Sequence, residues 1–279
     1  MLNRRLTALA LTTLLALTAC ANMGDNAPAT LPGARIAEIV ASPERSDADR
    51  TNDQRRKPQQ MLAFIGIRPG MVALDLSAGG GYTTELVARA IGPTGKVYGQ
   101  NAPRVPRPAP AQPEGAAAPP VAAPAPAAAA SRPTPLGVAG RAKALAAGNI
   151  VPVVQPFEDP VPAEVAAGGL DLVTLMFNYH DLGHMGVDRA AMNRAVFAAL
   201  KPRGVFVIAD HSGRPGTGIS ESGTLHRIEE AFLRAEVERA GFKLLDEGQF
   251  MRNPNDPRDK NTPEPPQPKD EFVLKFVKP

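Results

Sequence analysis

Short apolar segments alternate with amphipathic ones through most of this chain. Apolar runs of strand length are rich in β-branched residues, and segments of helical periodicity lie between several of them. Near-continuous apolar strands that alternate with helices are typical of a parallel sheet covered on both faces. The predicted strands cover residues 71–76, 96–99, 150–154, 171–177, 204–210, 242–250 and 272–277. The predicted helices cover residues 58–65, 82–91, 189–200 and 224–240, and the charged segment 42–57 is interpreted as a further solvated helical face.

The amino-terminal residues have the parts of an export signal. Two arginines precede the apolar residues 6–17, and the sequence Leu-Thr-Ala then leads to Cys20, the single cysteine of the chain. This end resembles the lipobox of bacterial lipoproteins, in which a small residue precedes the cysteine that is lipidated. We therefore predict a signal peptide at 1–19, lipidation of Cys20, a tether at 20–41, and anchoring to a membrane that faces the periplasm or the outside. The alternative is a cytoplasmic amino-terminal helix with a chance cysteine.

Composition excludes several classes of protein. Of the 279 residues, 43% are hydrophobic and 21% are charged, which is enough apolar surface to exclude whole-chain disorder. One cysteine excludes an intramolecular disulfide and a cysteine zinc cluster. Removing residues 1–19, which hold two arginines and no acidic residue, lowers the formal net charge from +3 to +1. No basic stripe with interleaved aromatic residues is present in the sequence, so nucleic-acid binding has no support.

Proline is about twice as common as usual, and most of the excess lies in two segments. Residues 102–135 are mostly alanine and proline and contain no leucine, isoleucine or phenylalanine. We interpret this segment as a disordered insert, because it cannot bury enough apolar surface to offset chain ordering. Residues 253–270 form a second proline-rich loop between the last two predicted strands. The remaining sequence from 42 to 279 is predicted to form a single domain.

A glycine-rich turn follows the first predicted strand, where residues 75–82 read DLSAGGGY. Such a turn lets the backbone approach a ligand closely, and the helix that follows presents N–H groups to an anion. Here the sequence resembles the class I S-adenosylmethionine-dependent methyltransferases, whose first motif is an acidic residue followed by three glycines at alternate positions. Asp75, Gly79 and Gly81 match that motif, and Ser77 stands in the place of its first glycine. The alternative is a tight turn in an α/β protein that binds another ligand, or none.

The chain further resembles a group of predicted bacterial methyltransferases that are often exported. The residues that carry this likeness are at positions 42–45, 56–58, 62–64, 179–181, 210–211 and 225–228. The likeness covers 42–279 apart from the alanine- and proline-rich insert. It implies an α/β fold with a doubly wound, Rossmann-like sheet of seven strands in the order 3-2-1-4-5-7-6, with the last strand antiparallel.

The resemblance also implies how S-adenosylmethionine would be held. The glycine turn would hold its methionine part, with Asp75 near the ammonium group. Asn101 stands where the family has an acid that bonds the ribose hydroxyls, and Glu158 or Asp159 stands where adenine contacts arise. The candidate cofactor-binding residues are Asp75, Ser77, Gly79, Gly81, Tyr82, Asn101, Glu158 and Asn178.

The candidate catalytic residues follow two predicted strands that the implied sheet order makes neighbours. They are His180, Asp181, His211 and Tyr179. Ligands of open α/β sheets bind outside the carboxyl ends of the strands, so His180 and His211 are expected at one mouth. Either histidine could accept a proton from a methyl acceptor, and Tyr179 could lie against the sulfonium or the acceptor. The alternative is that both histidines are hydrogen-bonded structural residues at strand ends.

These observations leave three functions open. The leading hypothesis is methyl transfer from S-adenosylmethionine to a small acceptor by a membrane-anchored lipoprotein. The second is a non-catalytic envelope lipoprotein that uses the same fold to bind a ligand. The third is a metal-dependent hydrolase that uses His180, Asp181 and His184, whose spacing places two histidines on one helical face. We predict no metal site there, because Gly183 disfavours a helix and the segment directly follows a strand.

Arg227 is interpreted as a surface ion pair or as a contact to an acidic substrate.

Overall fold

A seven-stranded sheet runs through the part of the chain that this computed structural model describes, which is residues 29–103, 137–263 and 265–279. The strand order is β3-β2-β1-β4-β5-β7-β6, and β7 is antiparallel to both of its neighbours while the other adjacent pairs are parallel. The predicted fold class and strand order are therefore confirmed. The strands are β1 Val72–Leu76, β2 Lys96–Asn101, β3 Ile150–Val154, β4 Leu170–Met176, β5 Leu200–His211, β6 Lys243–Gly248 and β7 Glu271–Val277.

Helices cover both faces of this sheet, as the unbroken apolar strands require. Their bounds are α1 Gly33–Ala41, α2 Asp47–Arg56, α3 Pro58–Ile65, α4 Tyr82–Ile91, α5 Val138–Ala144, α6 Asp181–His184, α7 Arg189–Ala199 and α8 Glu230–Arg239. Ser46 caps α2 by accepting a hydrogen bond from the Asp49 N–H. Gly66 ends α3 with a φ of 73°, a conformation that glycine adopts without steric cost.

Apolar side chains form one buried layer on each face of the sheet. One layer contains Leu74 of β1 and Phe206 of β5 beside Leu233 of α8. The other contains Val87 of α4 and Ile36 of α1. The two layers fix β1, β4 and β5 in the centre of the sheet, so that the carboxyl ends of these parallel strands meet at one edge.

Several predicted boundaries differ from the observed ones. Residues Gly33–Ala41 form α1 and not the end of a tether, because Ile36, Ile39 and Val40 follow helical spacing and pack α1 against α3 and α4. The helix predicted from 224 begins at Glu230, because the residues just before it are extended and Ile228 forms a bridge with Ser212. Strand β5 begins at Leu200, several residues earlier than predicted.

Arg227 is buried and does not lie at the surface. Its guanidinium is fully buried, lies 2.9 Å from Asp256, and donates hydrogen bonds to the carbonyl oxygens of Ser212 and Lys260. It therefore ties the proline-rich loop between β6 and β7 to the end of β5.

The predicted signal peptide, Cys20 and all but the first two residues of the predicted insert lie outside the described residues, so these remain predictions. In the described ranges, no helix has both the length and the apolar character needed to span a bilayer.

Candidate functional site

The glycine turn between β1 and α4 is held in shape by the end of β2. Ser77, Gly79 and Gly81 all have positive φ, at 52°, 54° and 80°. The Ser77 N–H donates to the side-chain oxygen of Gln100 at 3.1 Å, and the Gly79 N–H donates to Oδ1 of Asn101 at 2.8 Å. Ser77 thus adopts the left-handed conformation that favours glycine, which agrees with its place in the motif.

Asp75 lies at the base of this turn with its side chain almost fully buried. Its two carboxylate oxygens accept hydrogen bonds from the hydroxyls of Thr84, at 2.6 Å, and Thr174, at 2.7 Å. Burial raises the pKa of Asp75 to about 6, against the opposing effect of the two threonine hydrogen bonds and of the charge on Arg56. A cation that reached Asp75 would favour the ionised carboxylate.

A cleft of about 370 Å³ opens beside the turn. The turn, the end of β4 and helix α2 form its walls, and five of the candidate cofactor-binding residues line it: Asp75, Ser77, Gly79, Tyr82 and Asn178. A cleft of this size falls within the range that small-molecule ligands occupy in proteins.

Arg56 of α2 and Phe177 after β4 also line this cleft, and neither is predicted from the sequence as a site residue. The Arg56 guanidinium lies 4.9 Å from the ring centre of Phe177 and 5.2 Å from that of Tyr82. Within the described residues it has no hydrogen-bond or carboxylate partner. Burial and the neighbouring Arg55 lower the pKa of Arg56. An anionic ligand group in the cleft would therefore find a partly desolvated, unpaired cation.

A buried ionic network fixes α2 over the cleft. The Arg141 guanidinium forms two hydrogen bonds with the carboxylate of Asp49, binds Glu85 of α4, and donates to the carbonyl oxygen of Gly80 in the turn. Arg141 therefore links α5, α2 and the glycine turn. A Cβ atom at Gly81 would lie 2.9 Å from the Arg141 side chain, so a side chain there would disturb this network before it reached a ligand.

The structure brings all four histidines of the chain together. The ring centres of His180 and His211 are 5.3 Å apart, those of His180 and His226 are 5.6 Å apart, and those of His184 and His226 are 5.7 Å apart. The expectation that His180 and His211 share one mouth of the sheet agrees with this arrangement. His211 also stacks on Phe177 at 5.6 Å, so its ring contacts a side chain of the cleft wall.

Burial and neighbouring carboxylates shift the pKa values of two of these histidines in opposite directions. Burial disfavours the charge on His180, but the hydrogen bond between its Nδ1 and Oδ1 of Asp210, at 2.6 Å, raises the pKa of His180 overall. Burial lowers the pKa of His211. Nδ1 of His211 lies 3.0 Å from Oε1 of Glu271, and this carboxylate opposes the effect of burial on the pKa of His211.

Three predicted site residues lie elsewhere. Tyr179 is fully buried and its hydroxyl bonds Glu236 and Asn193, so it packs inside the protein and does not face an acceptor. The Asn101 amide bonds the backbone N–H and carbonyl of Gly79, so it supports the turn, and it is not among the described residues that line the cleft. Glu158 accepts a 3.3 Å hydrogen bond from the Asp188 N–H and is not among the described residues that line the cleft.

Two hydrogen bonds connect the glycine turn with the histidines. The Ser77 hydroxyl donates to Oδ1 of Asn178 at 2.5 Å, and the Asn178 amide donates to Oδ2 of Asp181 at 2.8 Å. Oδ1 of Asp181 lies 2.8 Å from Nδ1 of His226 and 3.1 Å from Nε2 of His180. Asp181 is thus at the centre of the histidine cluster. His184, which the sequence pairs with His180, lies farther from Asp181, at 3.8 Å.

Comparison with known proteins supports the fold. No protein-family model and no curated protein matches this sequence. A methyltransferase dependent on S-adenosylmethionine from Aquifex aeolicus matches with a TM-score of 0.51 at 16% identity, over 89% of this chain and 100% of that chain. The complex between the Trm112 methyltransferase activator of Haloferax volcanii and a methyltransferase contains a chain that matches with a TM-score of 0.54 at 15% identity, over 90% of this chain and 100% of that chain. At these identities the likeness shows the fold alone.

Proposed function

We propose that this protein transfers a methyl group from S-adenosylmethionine to a small acceptor. The observation that carries this proposal is the pairing of opposite charges in the cleft beside the glycine turn. Asp75 offers a buried carboxylate, and Arg56 offers a guanidinium without a carboxylate partner among the described residues. An amino-acid group has an ammonium and a carboxylate, so the two residues match both charges of the methionine end of the cofactor.

The chain's own residues would mainly position the reactants. Gly79 lets the backbone approach the ligand, since a Cβ atom there would meet only the Ser77 carbonyl oxygen, at 3.9 Å, among the described atoms. Bound S-adenosylmethionine supplies a methyl group that its sulfonium charge makes electrophilic. Holding an acceptor in line with that group can contribute about 7–11 kcal/mol toward lowering the barrier.

His211 is the residue we assign to accept the acceptor's proton. Its ring stacks on Phe177 of the cleft wall, and burial lowers the pKa of His211, which favours the neutral imidazole that can accept a proton. A positioned general base contributes typically about 10²–10⁴-fold to a rate. We therefore expect His211→Ala to retain cofactor binding and to lose turnover by a factor in that range.

Calorimetric titration with S-adenosylmethionine tests the proposal directly. The chain carries Cys20→Ala in every sample, so that lipidation does not vary between preparations. We expect binding to the parent, and loss of binding in Gly79→Val, whose side chain would enter the cleft. Arg56→Gln should weaken binding while leaving the fold intact, because Arg56 has no ion pair among the described residues to lose. Unchanged affinity in both variants would reject the assignment of the cleft.

A non-catalytic binding protein is the second candidate. Two observations favour it: Ser77 replaces a motif glycine, and the Asn101 amide is engaged by the turn at the position where the family has a ribose-binding acid. Cofactor binding without turnover across a broad panel of oxygen, nitrogen and sulfur acceptors would support this candidate over the enzyme.

Anchoring by a lipid on Cys20 completes the proposal. It rests on the lipobox-like sequence before Cys20 and on the single thiol of the chain. We expect Cys20→Ala to leave the membrane fraction, with the mass of the protein showing whether the signal was cleaved. A cleaved Cys20→Ala chain that stayed with the membrane would contradict lipid anchoring.

A further inference from the structure

Three side chains outside the glycine-turn cleft bring together ligand atoms that transition metals prefer. His180, Asp181 and His226 each offer one such atom, and all three atoms lie within 4.8 Å of one another. The residues come from two separate segments of the chain, since His180 and Asp181 follow β4 and His226 precedes α8. Their convergence is therefore a product of the fold and not of a local sequence motif.

Two of the three separations in this group are close to those between the ligands of one metal ion. Nε2 of His180 lies 3.1 Å from Oδ1 of Asp181, which lies 2.8 Å from Nδ1 of His226. Ligand atoms about 2.0–2.1 Å from a tetrahedral zinc ion are about 3.3 Å from each other. These two separations need to grow by only a few tenths of an ångström, and the third pair, the two histidine nitrogens, lies within 4.8 Å.

Neighbouring groups orient each ligand as metal sites require. Nδ1 of His180 bonds the fully buried Asp210 at 2.6 Å, so that Nε2 faces Asp181. Asp210 is itself held, because its other oxygen accepts from the His180 N–H at 2.8 Å. Oδ2 of Asp181 accepts from the Asn178 amide, which leaves Oδ1 for the cluster. A carboxylate behind a ligating histidine is the usual second partner of such a ligand.

The cluster is closed on one side and open on the other. The side chain of His180 is 3% exposed, whereas those of Asp181 and His226 are 24% and 40% exposed. His226 has a φ of 50°, which is uncommon for a residue other than glycine and is found mostly where the surroundings impose it. Three protein ligands with one open position are the pattern of catalytic metal sites, whereas structural zinc sites have four.

We infer that His180, Asp181 and His226 form a binding site for a divalent first-row transition metal, with zinc the best fit. Two imidazoles and one carboxylate favour zinc, iron, cobalt or nickel over magnesium and calcium, which prefer oxygen ligands. The site differs from the His180–His184 pair that the sequence suggests, because His184 binds Ser222 through Nδ1 and does not belong to the cluster.

The metal site would adjoin the methyl-transfer cleft. Asn178 lines the cleft and bonds Asp181, so a ligand of the metal is one hydrogen bond from the cleft wall. If the proposed function holds, the open metal position would bind the acceptor through an oxygen, nitrogen or sulfur atom and lower the pKa of its proton. This role rests on the proposed function, whereas the metal site itself does not.

Zinc titration of the metal-free chain tests the site. Each sample carries Cys20→Ala, because the thiol is itself a zinc ligand. We expect one zinc ion per chain, and cobalt in its place should give the visible absorption of a four- or five-coordinate ion. His226→Ala and His180→Ala should each lower zinc affinity about 100-fold or more, and Asp210→Asn about 10–100-fold. His226 is partly exposed, so its variant should keep the parent's melting temperature.

His211→Ala is the matched control, because it removes a histidine that contacts His180 but lies outside the cluster. It should retain the parent's zinc affinity and cobalt spectrum. Equal zinc affinity in the parent and in His226→Ala would overturn the inference. A loss of zinc affinity in His184→Ala without a loss in His226→Ala would overturn it as well. Titration of the same samples with S-adenosylmethionine separates the two proposals: zinc binding without cofactor binding rejects the proposed function, and cofactor binding without zinc binding rejects the metal site.

Discussion

The buried carboxyl of Asp75 makes cofactor binding dependent on pH in a defined direction. Burial raises the pKa of Asp75 to about 6 in the protein, from 3.8. The ammonium group of S-adenosylmethionine would interact with the ionised carboxylate, so binding below pH 6 requires Asp75 to lose its proton. With a pKa of about 6, the Asp75 carboxyl is protonated in about nine-tenths of the molecules at pH 5 and in about one-tenth at pH 7. We therefore expect about tenfold weaker affinity at pH 5 than at pH 7.

The raised pKa of Asp75 also makes the folding stability of the ligand-free protein depend on pH. Folded Asp75 binds its proton more tightly than the unfolded chain does, so its contribution to stability falls as the pH rises from about 4 to 6. A pKa raised from 3.8 to about 6 corresponds to a cost of about 3 kcal/mol above pH 7, of which about 1 kcal/mol appears between pH 5 and pH 7. Asp75→Asn lacks this cost and can still bond both threonine hydroxyls. The stability of Asp75→Asn relative to the parent should therefore rise by about 1 kcal/mol from pH 5 to pH 7.

Calorimetry with S-adenosylmethionine and urea unfolding, both at pH 5 and pH 7, measure these effects. Asp75→Asn should bind more weakly than the parent at pH 7 and show no loss of affinity at pH 5. Thr174→Val is a matched control: it removes a hydrogen bond that lowers the pKa of Asp75, so the midpoint of the affinity change should move to higher pH. If the parent binds equally well at both pH values and Asp75→Asn matches it, Asp75 does not face the ammonium group.

Three further substitutions test parts of the structure. Ser77→Ala and Ser77→Gly both remove the hydrogen bond to Asn178, but only Ser77→Gly also removes the strain of the left-handed backbone. In urea unfolding, Ser77→Ala should therefore be about 1 kcal/mol less stable than Ser77→Gly. Gly81→Val should lower the melting temperature because its side chain meets Arg141, and equal melting temperatures would contradict the packing. Arg227→Ala should cost about 3–5 kcal/mol of unfolding free energy, because it leaves the buried Asp256 carboxylate without its cationic partner, and a loss below about 1 kcal/mol would refute that.

The sequence predicts the sheet well because buried parallel strands have a strong local signature. The predicted ends of β1, β3, β4 and β7 lie within one residue of the observed ends, and helices α3 and α4 have their predicted bounds. The glycine turn is recognisable in the sequence because a positive φ requires particular residue types, and the carboxyl ends of β4 and β5 must meet once the strand order is known.

The remaining parts of the site depend on contacts between distant segments, which carry no local signature. Arg141 follows the alanine- and proline-rich segment and reaches Asp49, 92 positions earlier in the chain. Nothing in the spacing of charged residues indicates this pair. The sequence places His226 at the start of a helix because its neighbours have helical periodicity, yet it joins His180 and Asp181 from the connection before α8. The prediction misplaces Tyr179 because residues that follow a strand can face the core as readily as the cleft.

The hydrogen bond of Ser77 gives a physical reason for a serine in place of the first glycine of the motif. Glycine at this position would adopt the φ of 52° without strain, whereas serine bears a cost of about 1–2 kcal/mol. Its hydroxyl partly offsets that cost by bonding Asn178, which in turn bonds Asp181 of the histidine cluster. A glycine would leave Oδ1 of Asn178 without this donor and would free the Asn178 amide to turn away from Asp181. Ser77 therefore couples the position of the glycine turn to the orientation of the carboxylate around which the histidines gather.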